Sequence, residues 1–273
     1  MREEGGSVGL VNLPVVAEVR DELSASRDLM DKSLSPWSAK LDGFFRDIEK
    51  DLHWHMLPQV TAVAYRGLRA GFQCTVYMVT IFRLAYLANY IHDTVRDDEE
   101  GQVHDRQLQF DILIGDYLFG KVLKLLSENH SQFLASTLAE MIVDINEGRA
   151  IRKVRGGCRK DLEVITKELA CLYSYAFLTA AEKAGLPVAE RAIYREVGNS
   201  LGMALGVISE KVPGVSPLRY LEEAVSLPKL TKHALQDRRL LIHRLLQEMW
   251  DQLRQKEAPA MLGARGNRSI QAF

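Results

Sequence analysis

Almost every segment of this chain repeats its apolar residues with the 3.6-residue period of an amphipathic helix, and strand-like alternation is scarce. The run Thr75–Tyr90 is apolar around most of its circumference, which is typical of a central helix surrounded by other helices. Prolines and glycines fall mostly between the periodic stretches, where breaks are expected. The pattern predicts an all-α chain in which this run forms the middle of a bundle.

The periodic stretches predict a single helical domain over residues 1–258, built from about ten helices. Residues 259–273 have no period and are expected to form a mobile tail. The helices are predicted over residues 14–26, 36–57, 59–72, 75–98, 105–127, 131–153, 159–184, 188–210, 217–225, 228–236 and 238–257.

Composition excludes several classes of protein. With 47% hydrophobic residues the chain can bury a substantial core, and 35 basic against 36 acidic residues create no field that would attract nucleic acid or an anionic membrane. No membrane span is expected, because Arg83 interrupts the most apolar run. The three cysteines, Cys74, Cys158 and Cys171, show no CxxC spacing, and the N-terminus lacks the apolar core of a signal peptide. We therefore expect a cytoplasmic protein with reduced thiols.

A group of carboxylates follows the apolar run. Asp93 and Asp97 are four residues apart, so on a helix they project from one face, and Asp98 lies beside them. Carboxylates one turn apart at the end of an apolar helix are suited to holding Mg²⁺ against a diphosphate. The alternative is a solvated helix end in which these side chains pair with Arg96. We therefore predict a metal site at Asp93, Asp97 and Asp98, with the solvated helix end as the alternative.

Two motifs give the chain a family resemblance. Residues 92–98 read His-Asp-Thr-Val-Arg-Asp-Asp, and residues 112–118 read Ile-Leu-Ile-Gly-Asp-Tyr-Leu. In this order they resemble the first aspartate-rich motif and the following segment of the trans-polyprenyl diphosphate synthase family. The resemblance implies the all-α isoprenoid synthase bundle. It also implies two aspartate motifs that face each other across a pocket, where Mg²⁺ ionises an allylic diphosphate for condensation with isopentenyl diphosphate.

The chain departs from the family at the charged positions of both motifs. Thr94 replaces the second aspartate of the first motif. In the second motif Ser209 and Pro213 take two aspartate positions, Gly206 takes a glutamine position, and Glu210 is the one acidic residue that remains. Magnesium binding by this chain alone is therefore expected to be weak or absent.

The cations that hold diphosphate in the family are also replaced. The Gly-Lys-x-Arg-Pro segment of the family aligns with Trp-His-Met-Leu-Pro at residues 54–58, and its Lys-Thr pair aligns with Glu168 and Leu169. Its later Gly-Lys-x-Thr-Leu-Pro segment aligns with residues 223–228, which read Glu-Ala-Val-Ser-Leu-Pro. Exchanging a phosphate-binding lysine for glutamate turns attraction into repulsion. The pattern indicates a scaffold that kept its fold and gave up its chemistry.

The resemblance implies a non-catalytic or regulatory subunit of a heteromeric polyprenyl diphosphate synthase. Its partner would be a homologous catalytic subunit in a heterodimer, with a homodimer as the alternative, and the helices at Thr75–Ile91 and Gly115–Leu126 are candidates for the contact. Two other functions stay open. One is a stand-alone, Mg²⁺-dependent enzyme like a terpene synthase, which uses the first motif alone. The other is a protein that binds a prenyl chain without chemistry.

The remaining charged residues are interpreted as structural. Gly148–Lys160 contains six basic residues, which we interpret as an exposed helix end rather than a surface for a phosphate, a membrane or another anionic partner. His53, His55 and His92 are interpreted as structural or surface histidines rather than metal ligands.

Overall fold

A computed structural model gives the fold and describes residues 13–35, 37–95, 106–227 and 240–266, with side chains described to residue 255. These residues form helices and no strands, as the sequence predicted. The α-helices are α1 Arg20–Leu34, α2 Ser38–Ile48, α3 Leu52–Gly67, α4 Phe72–Thr94, α5 Arg106–Glu128, α6 Ala135–Val154, α7 Leu162–Ile165, α8 Cys171–Lys183, α9 Val188–Ser209, α10 Pro217–Ser226 and α11 Leu240–Gly266. Short 3₁₀ helices span Pro14–Val19 and Gln132–Leu134, and a π-helical turn spans Thr166–Ala170.

The helix α4 lies at the centre of the bundle, as its uniform apolarity predicted. It packs against α1, α3 and α5, and its buried residues surround its whole circumference. It is also the one described helix that is long and apolar enough to cross a membrane, and 78% of its most apolar stretch is buried inside the protein. That burial is what the core helix of a helical bundle requires.

The chain breaks before α3 rather than at Pro58. Helices were predicted over 36–57 and 59–72, but α2 ends at Ile48 and α3 contains Pro58 in its interior. The break is set by Asp51, whose carboxylate accepts a hydrogen bond of 2.7 Å from the backbone N–H of His53. This N-cap fixes the start of α3, and with it the direction of the side chains that follow.

The predicted helix over 159–184 is interrupted by the π-helical turn at Thr166–Ala170. Gly148 of α6 faces this turn, and a Cβ at Gly148 would lie 2.8 Å from carbons of Lys167 and Glu168. The glycine therefore allows α6 and the π-helical turn to approach closely.

Three glycines on one face of α9 allow an equally close approach to the α7–α8 segment. A Cβ at Gly198 would lie 2.3 Å from the carbonyl oxygen of Tyr173, and one at Gly202 would lie 2.6 Å from Cα of Ala170. At Gly206 a Cβ would lie 2.4 Å from a methyl carbon of Ile165. This contact holds the end of α9 beside the π-helical turn.

The last helix ends later than predicted. Helix α11 runs to Gly266, whereas a helix to residue 257 and an aperiodic tail from 259 were predicted. Ala258, Ala260, Met261 and Leu262 have high helix propensity, and the helix continues through Pro259, which does not. The predicted helix at 228–236 lies outside the described residues, and the domain boundary at 258 stays a prediction.

Candidate functional site

The two motif regions that the resemblance pairs do face each other across a cavity of about 1120 Å³. One wall is the end of α4, with Tyr86, Asn89 and Asp93. The opposite wall is the end of α9, with Ser209 and Glu210. The start of α3, the middle of α6 and the π-helical turn close the sides. The cavity therefore lies between the two motif regions, where the family resemblance implies a pocket.

The carboxylate of Asp93 is bound by three arginines. Its Oδ1 lies 2.5 Å from Nη2 of Arg152 and 3.5 Å from Nε of Arg149, and its Oδ2 lies 2.5 Å from Nη2 of Arg159. Burial by itself would raise the pKa of Asp93, but the three positive charges outweigh it and lower that pKa. The carboxylate is thus ionised and fully engaged by guanidinium groups.

The arginines come from the basic segment that was interpreted as an exposed helix end. Residues 153–160 of that segment are exposed, but Arg149 and Arg152 are not, so the interpretation fails for these two residues. Arg149 and Arg152 lie one turn apart on α6, and their side chains are only 16% and 14% exposed. Arg152 also donates from Nε to Glu168 at 2.7 Å, and Arg149 donates to the backbone carbonyl of Asn89. Arg152 therefore joins α4, α6 and the π-helical turn in one ionic network, which we call the arginine clasp (Arg149, Arg152 and Arg159 on Asp93).

The first motif no longer presents a free carboxylate among the described residues. The hydroxyl of Thr94 donates to the carbonyl of Ile91 in its own helix at 2.6 Å. Asp97 and Asp98 lie outside the described residues, so their predicted metal role stays a prediction. Within the described ranges no group of three or more histidine, cysteine, aspartate or glutamate side chains is arranged to hold a metal ion. The surroundings of Asp93 suit an arginine network and do not suit Mg²⁺.

The second motif has lost its helical geometry as well as its carboxylates. Helix α9 ends at Ser209, and Lys211 adopts a positive φ of 50°. The N–H of Val212 bonds to the carbonyl of Val207, which closes the helix end. Pro213 therefore lies beyond the helix. Two aspartates of a metal motif would share one face of a helix, whereas Ser209 and Pro213 do not.

Glu210 is the acidic residue that remains in this second wall. Burial raises its pKa, while the charge of Arg159 opposes that rise. Its carboxyl group is therefore less inclined to ionise than an exposed glutamate. That property weakens it further as a ligand for a divalent cation.

A chain of hydrogen bonds occupies the place of the lost aspartate at Ser209. His53 lies 2.9 Å from the hydroxyl of Tyr173 through Nδ1 and 2.9 Å from Oγ of Ser209 through Nε2. The Ser209 hydroxyl itself donates to the carbonyl of Gly206 at 3.1 Å. All partners are satisfied when Tyr173 donates to Nδ1 and Nε2–H donates to Ser209, which assigns the tautomer from the network.

We call the hydrogen-bonded chain Tyr173–His53–Ser209 the relay. With the assigned tautomer the hydroxyl of Ser209 donates to Gly206, so this arrangement does not present Ser209 to His53 as a nucleophile to its base. Burial lowers the pKa of His53, although the charge of Asp51 opposes the shift, so the ring is neutral. The buried ring agrees with the structural role predicted for His53, although its connection to Ser209 was not foreseen.

The two sequence motifs of the resemblance lie against each other. The ring of His92 packs on Gly115, where a Cβ would lie 2.0 Å from the imidazole, and its Nε2 lies 3.5 Å from Asp116. Helix α5 starts at Arg106, so Asp116 lies in the interior of this helix. Gly115 therefore permits the close approach of α4 and α5 beside the first motif.

Several solved structures share this fold at low sequence identity. The chain matches no protein-family model and no curated protein sequence. A decaprenyl diphosphate synthase from Rhodobacter capsulatus superposes with a TM-score of 0.66 at 15% identity, covering 88% of this chain and 98% of that one.

Two further structures come from heteromeric or small-subunit proteins. A deletion mutant of the heterotetrameric geranyl pyrophosphate synthase of mint has a TM-score of 0.58 at 13% identity, covering 85% of this chain and 99% of that one. The geranyl diphosphate synthase small subunit of Antirrhinum majus has a TM-score of 0.58 at 14% identity, covering 85% of this chain and 97% of that one. The described helices thus have the isoprenoid synthase fold, in structural similarity to the trans-polyprenyl diphosphate synthases.

Proposed function

We propose that this chain is the non-catalytic subunit of a heteromeric polyprenyl diphosphate synthase, and that a homologous partner carries out the elongation of an allylic diphosphate. The observation that carries the proposal is the arginine clasp on Asp93. Mg²⁺ at this carboxylate would have to displace charge-assisted hydrogen bonds, each worth about 1.5–3 kcal/mol. It would also have to lie beside three cations.

The opposite wall supports the same function. Ser209 is held by His53 and Gly206, Lys211 adds a positive charge to the lining, and Glu210 resists ionisation. A metal cluster needs carboxylates on both sides of the cavity, and this wall offers one weak ligand. Among the described residues, the two walls of the cavity therefore offer a poor set of ligands for the metal ions that would ionise a diphosphate.

The outer face of α5 offers a surface for the partner. Leu113 and Leu123 are 67% and 61% exposed, and a Cβ added at Gly120 between them would meet nothing. Together with Gln109, Asp116 and Ser127 they form a stripe at alternating spacings of four and three residues, the spacing with which one helix packs along another. Asp116 is the one charged residue of this stripe.

The occupant that we propose for this stripe is a helix of a homologous subunit. The Antirrhinum protein is named as a small subunit and the mint enzyme as a heterotetramer, which supports a heteromer over an isolated monomer. Helix α5 also lies directly on α4, whose end forms a wall of the cavity. A partner seated on α5 would thus lie one helix away from the first motif.

Reconstitution with a catalytic partner tests the proposal. The chain is purified alone and together with a co-expressed polyprenyl diphosphate synthase in which both aspartate motifs are intact, and each sample receives Mg²⁺, farnesyl diphosphate and isopentenyl diphosphate. We expect no elongation by the chain alone, and a change of rate or product length in the partner when the chain is present.

Three results would contradict the proposal. Elongation by the chain alone would do so, and a cyclic or alcohol product from the allylic diphosphate would instead favour a stand-alone enzyme. The third is a mixture whose rate and products equal those of the partner alone. As a matched control, a partner with its own first motif changed to alanine must abolish elongation in the mixture.

A further inference from the structure

A second cavity, of about 910 Å³, lies on the other side of the start of α3 from the first. We propose that it binds a small amphipathic anion, in which a phosphate or carboxylate group is joined to an apolar group. The first cavity begins at Lys50–His53, whereas Glu49, Trp54 and His55 line the second. The two cavities are therefore separate, and this inference does not depend on the function proposed above.

The unusual residue in this second cavity is Arg83. It interrupts the most apolar helix of the chain, and its guanidinium lies over the ring of Trp54 at 4.8 Å from the centroid. Its Nε is buried and has no hydrogen-bond partner among the described residues. An arginine whose Nε is shielded from water and lacks a hydrogen-bond partner is costly to bury unless an anion joins it.

The charges around Arg83 leave an excess of cations. Arg20, Arg27 and Arg83 line the cavity with Glu49 as the acidic residue among its lining side chains. Glu49 is already engaged, since it accepts from Nε1 of Trp54 at 3.3 Å and lies 3.6 Å from Nε2 of His55.

The pKa of Arg83 reflects the same imbalance. Burial and the like charge of Arg27 lower the pKa of Arg83 to about 10, although Glu49 and Asp31 oppose the shift. A bound oxyanion would supply the missing opposite charge to both guanidinium groups. Arginine pairs are suited to this task because each presents a planar fork of donors to phosphate or carboxylate oxygens.

Apart from Ser24, His55 and Gln59, the rest of the lining is apolar, and this apolar part decides the class of ligand. Leu13, Pro14, Val16 and Ala17 of the 3₁₀ turn and Leu23 of α1 form one side of the cavity, and Pro58 of α3 adds to the other. Such a wall makes no favourable contact with a bare inorganic ion, but it shields the apolar tail of an amphipathic ligand from water. A cavity with an arginine pair beside an apolar wall is complementary to an amphipathic anion.

The first cavity does not offer this combination. The arginines that line it, Arg149 and Arg159, are both held by Asp93, so an incoming anion would have to displace that carboxylate. Arg27 and Arg83 form no ion pair with a described residue, and an anion could bind them without breaking one. The second cavity is therefore the better place for a free anion.

Calorimetric titration of the full chain tests the inference with three probes: octyl phosphate, octanoate and inorganic phosphate. We expect saturable binding of octyl phosphate or octanoate, at least about tenfold tighter than inorganic phosphate because the apolar tail adds buried area. The stronger of the two amphipathic probes identifies the head group.

Variants place the binding in this cavity. Arg27→Gln and Arg83→Lys are each expected to weaken binding of the stronger probe at least tenfold. Arg27 is exposed, so its replacement leaves the fold intact, and Arg46→Gln on the exposed side of α2 serves as the matched control. The inference is overturned if no probe binds, if inorganic phosphate binds as tightly as the amphipathic probes, or if both variants bind like the wild type.

Discussion

Arg152 joins the end of α4 to the π-helical turn through two ion pairs. It binds Asp93 and Glu168 at once, and both carboxylates are largely shielded from water. Replacing it with glutamine leaves the poorly solvated carboxylate of Glu168 without its ion-pair partner and removes one of the three arginines from Asp93. We therefore expect Arg152→Gln to lower the free energy of unfolding by about 3 kcal/mol. Urea denaturation followed by circular dichroism measures this change.

Arg155 provides the matched control for that change. It also bridges two carboxylates, Asp161 at 2.6 Å and Glu163 at 2.7 Å, but at the surface. Exposed ion pairs add little to stability, so Arg155→Gln is expected to have a clearly smaller effect than Arg152→Gln. Equal effects of the two variants would mean that the arginine clasp is not a buried network.

The neutral relay at His53 predicts how stability depends on pH. Because burial lowers the pKa of His53, the unfolded chain binds a proton below its ordinary value of 6.5 while the folded chain does not. The stability contributed by the neutral ring is complete above pH 6.5 and is lost as the pH falls below it, by up to about 1.4 kcal/mol per pH unit.

The variant His53→Gln keeps a donor and an acceptor but does not titrate. Urea unfolding at pH 7.5 and 5.5 should therefore show a shallower loss of stability in this variant than in the wild type. The pKa of His92 is also lowered by burial, so His92 accounts for the pH dependence of stability that remains in the variant. Parallel losses in the two proteins would rule out the assigned protonation state of His53.

At the scale of residues, the position of Asp93 could be predicted from the sequence, but its arginine partners could not. The position of Asp93 at the cavity followed from the motif, because the motif fixes its place on α4. Its arginine partners are 56 to 66 residues away in the chain, and nothing in their local sequence distinguishes them from the basic end of an exposed helix. Only the packing of α6 on the π-helical turn, which Gly148 permits, brings them together.

At the scale of elements, the glycines of α9 fix how two helices approach. A Cβ at Gly198 would overlap backbone atoms of Tyr173, which cannot rotate away as a side chain would. We expect Gly198→Ala to lower the free energy of unfolding by about 3 kcal/mol through overpacking. Thermal and urea unfolding both measure this loss.

Gly43 in α2 is the control for the backbone effect of the same substitution. A Cβ there would meet no atom within 4 Å, and alanine favours the helix over glycine, so Gly43→Ala should stabilise by about 0.5–1 kcal/mol. If the free energy of unfolding falls in Gly198→Ala and rises in Gly43→Ala, the effect of steric contact is distinguished from that of helix propensity. A stabilised Gly198→Ala variant would contradict the close contact of α8 and α9.

Helix positions were largely predictable and helix irregularities were not. Periodicity placed α5, α9 and α10 within a residue or two of their observed bounds, because each presents one apolar face to the bundle. The break at Asp51 and the π-helical turn escaped prediction. The apolar periodicity continues through Asp51, so it does not reveal that this residue caps a new helix. The π-helical turn depends on contacts with α6 and α9, which the local sequence does not specify.

At the scale of the whole molecule, the fold and the proposed role rest on different residues. The apolar positions and close-contact glycines preserve the bundle, and the charged positions decide whether it can carry out chemistry. Two motif segments were enough to indicate the isoprenoid synthase fold. The departures from the family motifs, such as Thr94 and Ser209, were visible in the sequence, but the arginine clasp and the hydrogen bonds of His53 became visible only in the packed structure.

The stripe on α5 gives the last prediction, which concerns assembly. A lysine at Leu123 would place a charge in the middle of the proposed interface, where it would have to be buried without a partner. Leu123 is exposed in the single chain, so Leu123→Lys should leave the melting temperature of the isolated chain unchanged while weakening binding to the catalytic partner at least tenfold. Val188→Lys is the matched control, since Val188 is 79% exposed at the start of α9, a helix that packs on α8 and α10. Analytical ultracentrifugation of each variant with the partner measures the association. If Leu123→Lys and Val188→Lys bind equally well, the partner does not dock on α5.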